Sequence, residues 1–233
     1  MKFKHLICTV MAVLMMVPSM AFAAGKLSYD ENFYVAGDYM TYAYGFAKVE
    51  NVGDKPIMVN ACLLEVFDAD GSPITSKDYF SKHAEYLQPG EYTYVKVYDS
   101  IDGDSVGLVD DYMLTITGKS DNSMITKRLP TEQYYSEDSN GWWTDHYIYV
   151  KVTNDTDEPI YDVAVVAAMY DVDGNIIAIQ DDRLYSIAID AGSSVVFRMS
   201  VDSGMISYCQ NNGIVIGDVD AVAYVNVDNP VAE

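Results

Sequence analysis

Apolar and polar residues alternate with a period of two along most of this chain, which is the signature of β-strands with one face buried. Ile148, Val150 and Val152 fall on one side of a strand, and Tyr147, Tyr149 and Lys151 on the other. A second run, Val163 to Tyr170, is apolar at every position but its counterpart near residue 62 is not: there Cys62, Leu64 and Val66 share one face and Leu63, Glu65 and Phe67 the other. An uninterrupted apolar run suits a strand in the middle of a sheet, with one side in the core and the other covered by neighbours. No convincing amphipathic helix is expected.

Self-similarity organises these strands. The stretch "AKVENVGDKPI" from Ala47 matches "VKVTNDTDEPI" from Val150, pairing Lys48 with Lys151, Asn51 with Asn154, Asp54 with Asp157, Pro56 with Pro159 and Ile57 with Ile160. At the same spacing Phe67, Asp68, Asp70 and Gly71 match Tyr170, Asp171, Asp173 and Gly174, and Pro89-Gly90 matches Ala191-Gly192 after a slip of one residue. Two copies of one module account for the pattern. Asn51 to Pro56 and Asn154 to Pro159 read as loops between strands, and the two Asp-x-Asp-Gly segments as hairpin turns in which glycine supplies a positive φ angle. Several short strands with regular turns predict an all-β chain of two tandem immunoglobulin-like β-sandwich domains, each with about seven strands. The expected divisions are a signal peptide at residues 1–24, a first domain at 25–129 and a second at 130–233, with the boundary in a short proline-containing connection around Lys127 to Gln133.

These same segments resemble the FxLYD family of immunoglobulin-like domains of exported bacterial proteins, over about 80 residues of each copy. The residues that carry the resemblance are Asn-x-x-x-x-Pro-Ile, an apolar strand ending in aromatic-Asp-x-Asp-Gly, and a later x-Gly before the next strand. The naming motif stands as Leu64-Glu65-Val66-Phe67-Asp68 and Ala167-Ala168-Met169-Tyr170-Asp171, both without the leading aromatic. The resemblance implies an immunoglobulin-like sandwich in an extracellular or cell-surface setting, with no catalytic residues to carry over.

The N-terminus points to the same compartment. Lys2 and Lys4 precede an apolar run from Leu6 to Val17, then Pro18 and Ser19, then Ala21 and Ala23 in an A-x-A arrangement, so cleavage is expected after Ala23 or Ala24. A run of about a dozen apolar residues is too short to span a hydrocarbon core of roughly 30 Å as a helix. The chain is therefore read as secreted, extracellular or held at the cell wall, with no membrane insertion after the signal is removed. Cys62 and Cys209 could pair in an exported chain, but they are not the dense, evenly spaced set of a disulfide scaffold, a bridge would have to connect the two domains, and Cys62 reads as a core residue.

Charge narrows the partners. The formal net charge is −21, from 35 acidic and 14 basic residues, which disfavours nucleic acid and anionic membranes because phosphate binding needs clustered Lys and Arg. An acidic coat that keeps an exported protein soluble is the simplest account.

Candidate chemistry is sparse. Outside the leader the only histidines are His83 and His146, and neither sits in a familiar nucleophile motif, so the chain is read as not an enzyme. An extracellular polymer hydrolase working through paired carboxylates is the distant alternative. No cofactor is expected apart from calcium: "DSIDGDSVGLVDD" gathers Asp99, Asp102 and Asp104, with Asp110 and Asp111 nearby, into an oxygen-rich stretch that suits a hard cation, which makes a calcium-stabilised surface protein the second alternative. Turn formation is the competing use of the same residues.

Aromatic content gives the strongest pointer to binding. The chain has 20 tyrosines. By alternation Trp143 shares a face with Tyr147 and Tyr149, opposite Ile148, Val150 and Val152, and Trp142 adjoins it. Exposed, that face is a flat aromatic strip for stacking on sugar rings or docking a protein; covered by a sheet, it is packing. Tyr42, Tyr44 and Phe46 occupy the matching strand of the first copy. The expected function is a non-catalytic extracellular binding or structural module that contacts a protein or a glycan.

Overall fold

In the computed structural model, which describes residues 26–37, 40–78, 86–139, 142 and 144–228, the period-two segments form antiparallel strands throughout. The first half contributes β1 (Leu27–Ala36), β2 (Thr41–Asn51), β3 (Ile57–Asp68), β4 (Pro73–Lys77), β5 (Tyr86–Leu87), β6 (Tyr92–Ile101) and β7 (Val109–Ser120). The second contributes β8 (Met124–Leu129), β9 (Thr131–Ser139), β10 (Thr144–Thr153), β11 (Ala164–Asp171), β12 (Ile176–Arg183), β13 (Ser194–Ser200), the helix α1 (Ser203–Asn212) and β14 (Ile216–Asp228). The proposed signal peptide, His83 and Trp143 lie outside the described residues. No helix among the described residues is long and apolar enough to cross a membrane.

Four sheets result, and the two halves repeat one topology. β1-β2-β6 corresponds to β9-β10-β13, and β4-β3-β7 to β12-β11-β14. Residue registers repeat too: Leu64 pairs with Lys77 and Phe67 with Pro73 across a bulge, as Ala167 pairs with Gln180 and Tyr170 with Ile176. Within each half, the two sheets face each other and seal a core by alternation. Ala43, Ala47 and Val49 meet Cys62, Leu64, Val66, Val95 and Val97 in the first half, while Ile148, Val150 and Val152 meet Val165, Ala167, Met169 and Phe197 in the second.

The halves then stack on each other. β2 and β6 turn Tyr44, Phe46 and Tyr94 away from the first core and onto β11, β12 and β14, so the sheets form four layers in which β1-β2-β6 and β12-β11-β14-β8 are the inner pair. This explains the uninterrupted apolar run of β11: all of Ala164 to Met169 is buried, with alternate residues facing different layers.

Two expectations need correction. Lys127 to Gln133 is not a connection: β8 and β9 run through it with Pro130 alone between them, and β8 pairs along the edge of β14, adding a fourth strand to the second half's sheet. Proline tolerates this place because the missing N–H falls where the strand leaves one sheet for another. Second, α1 is present. Asp202 caps it by accepting from the N–H of Met205, Gly213 closes it in the left-handed conformation, and Met205, Ile206 and Cys209 are its buried face.

The repeated loops are held by a buried asparagine. Asn51 donates through Nδ2 to the carbonyls of Lys55 (2.8 Å) and Leu87 (2.9 Å) and accepts from the N–H of Gly53 (3.0 Å). Asn154 repeats this with Glu158 and Ile189 (2.8 Å each) and Thr156 (3.0 Å). Both are fully buried. In the Asp-x-Asp-Gly turns, Asp68 Oδ1 accepts from the N–H groups of Asp70 and Ser72, and Asp171 Oδ1 from those of Asp173 and Asn175, with Gly71 and Gly174 at φ 77° and 87°.

Replacing Asn154 with alanine removes three hydrogen bonds and leaves the Thr156 N–H without this acceptor, while the Glu158 and Ile189 carbonyls keep the Thr156 hydroxyl and the Ile160 N–H, so we expect a loss of about 3 kcal/mol in urea unfolding. Asn51→Ala is expected to cost a similar amount, and a change under ~1 kcal/mol in both would show that the clamp is dispensable. Cys62 and Cys209 are free and buried in different cores, and burial pushes the Cys62 thiol up to about 12. Both thiols are therefore expected to resist a thiol-specific reagent in the native protein and to react on unfolding; rapid native labelling would contradict their burial.

Candidate functional site

Of the aromatic strip proposed from alternation, the structure places Tyr147 and Tyr149 on the outer face of β9-β10-β13, the face turned away from Ile148, Val150 and Val152. This sheet is the outermost layer of its half, and both tyrosines are half-exposed. Trp142, shortly before β10, is 90% exposed. Two residues that alternation within β10 alone does not reveal join them. Tyr134 on β9, 58% exposed, stacks on Tyr149 with ring centroids 5.0 Å apart and planes 10° apart, and the Arg198 guanidinium of β13 lies 4.6 Å from the Tyr147 ring centre. Lys151 pairs with Glu132 at 2.7 Å on the same face, and Val196 is 55% exposed beside them. The signal for Tyr134 was its place in a strand that pairs with β10, which requires knowing the register Tyr149↔Tyr134.

The matching strip of the first half has the opposite fate. Tyr44 and Phe46 are buried against β12 and α1, and Tyr94 is buried with its hydroxyl in a network. Tyr94 donates to Asp220 Oδ2 at 2.5 Å, Tyr92 donates to the same oxygen at 2.8 Å, and the Tyr170 hydroxyl donates to that of Tyr94 at 2.9 Å. Asn32 Oδ1 accepts from the Ile176 N–H at 2.8 Å, and Arg128 donates to the Tyr92 carbonyl. These bonds join the two halves.

At the rim of this contact is a cavity of about 360 Å³ lined by Tyr42, Tyr44, Tyr98, Lys96, Gln180 and Asp202 among others. Lys96 Nζ lies 3.4 Å from Gln180 Oε1, and burial pulls the ammonium below its usual range although Asp181 and Asp202 oppose that shift. Nothing in the alternation of β6 singled out Lys96, since a lone lysine among tyrosines reads as an exposed position.

The metal candidates are not brought together. Among the described residues there is no group of three or more His, Cys, Asp and Glu able to hold an ion. Asp99 accepts from the Thr75 hydroxyl, and the Asp102 carbonyl accepts from the Ser105 N–H in a turn that Asp104 shares. His146 is buried with Nδ1 2.5 Å from the Tyr135 hydroxyl and 3.8 Å from Glu137. Cys209 lines a separate cavity of about 330 Å³ with Tyr135, Glu137 and His146, but burial raises its thiol, which moves it away from the thiolate a nucleophile needs.

No family model matches this chain, and no curated protein does. Comparison with solved structures returns infectious bursal disease virus, Gt strain, at 9% identity, covering 91% of this chain and 68% of the viral one with a TM-score of 0.19. The T13 particle of the same virus aligns at 9% identity over 91% of this chain and 66% of its own, with a TM-score of 0.20. At these scores the likeness carries no conclusion about fold or function.

The inter-half phenols set an alkaline limit. Burial first, and then the hydrogen bond to Asp220, raise Tyr92 from the ordinary 10.0 to about 12, and the same causes raise Tyr94 further. The folded state thus favours the neutral phenol, so this contribution to stability is complete below about pH 10 and is lost as pH rises through 12. Absorbance titration in the near ultraviolet is expected to show Tyr92 and Tyr94 ionising only well above the ordinary value, together with unfolding. A single transition of all tyrosines at the ordinary value would contradict it.

Proposed function

We propose that this chain is an exported, non-catalytic contact module of two tandem immunoglobulin-like sandwiches, and that its contact surface for a protein or glycan is the outer face of β9-β10-β13. One observation carries the reading: the aromatic strip of the first half is covered by the second half, whereas the equivalent strip of the second half is left in solvent. Tyr134, Tyr147 and Tyr149, with Arg198 and Lys151, form a flat, rigid surface that loses little side-chain entropy on binding. The leader-like N-terminus and the acidic surface support a setting outside the cell. His146, held by Tyr135, and the raised Cys209 thiol offer no activated nucleophile, which supports a role in contact and not in turnover.

Tyr149→Ala and Tyr134→Ala are each expected to weaken binding to a glycan array by about tenfold or more, as loss of a central aromatic anchor does. Stability is expected to change by less than ~1 kcal/mol, because the pair lies on the solvent face of an outer sheet. Retained binding in both variants would remove this face as the contact surface.

A further inference from the structure

We propose that the partner at this face is a second copy of the chain: the outer face of β9-β10-β13 on one molecule seats on the outer face of β4-β3-β7 of the next. The inference deepens the reading above and rests on it. Its basis is that the chain already contains one such contact, between its own halves, and that the two outer faces are the repeat equivalents of the two inner ones.

Register fixes the equivalences. Lys48 pairs with Tyr94 and Lys151 with Val196, so Val196 occupies the place of Tyr94. Glu65 pairs with Met113 and Ala168 with Asp220, so Met113 occupies the place of Asp220. Phe67 occupies the place of Tyr170, both at the bulge opposite the first residue of the next strand.

Those three template positions touch one another. Tyr94 is bonded to Asp220 and Tyr170, and the three form the polar centre of the contact between halves. On the outer faces all three have become apolar together: Val196, Met113 and Phe67. Val196 is 55% exposed and Met113 47%, on sheets that never meet within one molecule. Converting Asp220 alone would strand the Tyr92 and Tyr94 phenols and converting Tyr94 alone would strand that of Tyr170, so these positions are coupled; Tyr92, the remaining member, has Ser194 as its equivalent. Joint conversion is what a contact between the two faces requires, and two unrelated solvent faces have no reason to change in step.

The surrounding positions agree. Tyr147 and Tyr149 stand where Tyr44 and Phe46 do, and Leu63 and Ala61 stand where Val166 and Ala164 receive that layer. Arg198 replaces Lys96, which bonds to Gln180 across the inner contact and is attracted by Asp181 and Asp202; the equivalents of Gln180 and Asp181 are Lys77 and the exposed Asp78. Glu65 lies on the receiving face and Arg198 and Lys151 on the docking face, where Lys151 is paired with Glu132 and where Asp138 and Asp145 also stand, so the opposition of charge is local to Arg198. Two different faces meet, so the contact is heterologous and extends head to tail into a filament or closes into a ring.

The experiment uses purified protein in sedimentation-velocity runs over a wide concentration range, with Val196→Glu, Met113→Lys and their equimolar mixture. Val196 and Met113 are exposed, and circular dichroism checks that each variant keeps the wild-type fold. We expect the wild type to grow beyond a dimer with concentration. Each variant alone should associate about tenfold or more weakly, since a charge meets an apolar residue at the centre of the contact. The mixture should recover assembly, because the carboxylate introduced on the docking face of one variant meets the ammonium introduced on the receiving face of the other, while the remaining faces are unchanged.

A wild-type monomer at every concentration overturns the proposal, as does Met113→Lys assembling like wild type, which would mean that the docking face meets its own kind. A monomer that still binds a glycan array through Tyr149 removes only the self-contact. One that binds nothing removes the contact-module reading as well.

Discussion

The structure depends on a sheet that is buried on both faces. β11 has no solvent side: its odd residues close the core with β10, and its even residues receive the aromatic face of β2 and β6. Small residues make this geometry possible, because Ala164 and Ala168 leave room for rings where a larger side chain would hold the layers apart. The rings bring hydroxyls with them, and a buried phenol without a partner costs on the order of 1–3 kcal/mol. Asp220 removes that cost for Tyr92 and Tyr94 at once, and Tyr94 does so for Tyr170. The two halves are therefore joined by a polar network centred on Asp220, without which Tyr92 and Tyr94 would lose their acceptor.

Around this shared interior the repeat preserves whatever the backbone itself requires. Asn51 and Asn154 make the same three bonds, and the glycine turns that follow return the same pair, with Gly90 N–H donating to the Asn51 carbonyl and Gly192 N–H to that of Asn154. Divergence falls where the environments differ. After β13 the chain winds into α1, whose Met205 and Cys209 fill space near β1 and whose Tyr208 meets Tyr34 edge-on at 5.6 Å. After β6 there is only a 3-10 turn at Val106–Leu108, since the corresponding flank of the first half has no neighbouring half to fill against.

How much of this could be read from the sequence follows from what alternation encodes. Alternation assigns side chains to faces, so Cys62, Leu64 and Val66, and Ile148, Val150 and Val152, were legible as core, and the all-apolar β11 was legible as covered twice. The Asp-x-Asp-Gly turns were legible because only a positive φ angle explains the glycine. Alternation does not encode what lies above a face. Tyr44 with Phe46 and Tyr147 with Tyr149 look alike in sequence, yet one pair is buried and the other faces water. Strand partners at long range were equally hidden: β8 has the composition of a strand, but its pairing with β14, far along the chain, leaves no local trace. In α1, Ser203, Ser207, Asn211 and Asn212 are weak helix formers, and tertiary burial of Met205, Ile206 and Cys209 outweighs that propensity. Asn51 and Asn154 were read as loop residues, and their full burial shows that a repeated loop shape can be enforced from inside.

Charge bears on where any contact can form. At −21 the molecule repels its own kind at long range. Within a Debye length of roughly 8 Å at physiological ionic strength, the average gives way to local charges. On the outer face of β9-β10-β13, Arg198 and Lys151 stand beside aromatic rings that carry no charge, and Glu132 is already paired with Lys151. The two cations attract an acidic partner locally, and Asp138 and Asp145 toward the end of the same face oppose it. The face of β4-β3-β7, with Glu65 in its midst and Asp78 at its edge, is opposite in sign to Arg198 and like in sign to Asp138 and Asp145. Aromatic area supplies attraction without direction, and the placement of those few charges supplies the orientation that the area lacks.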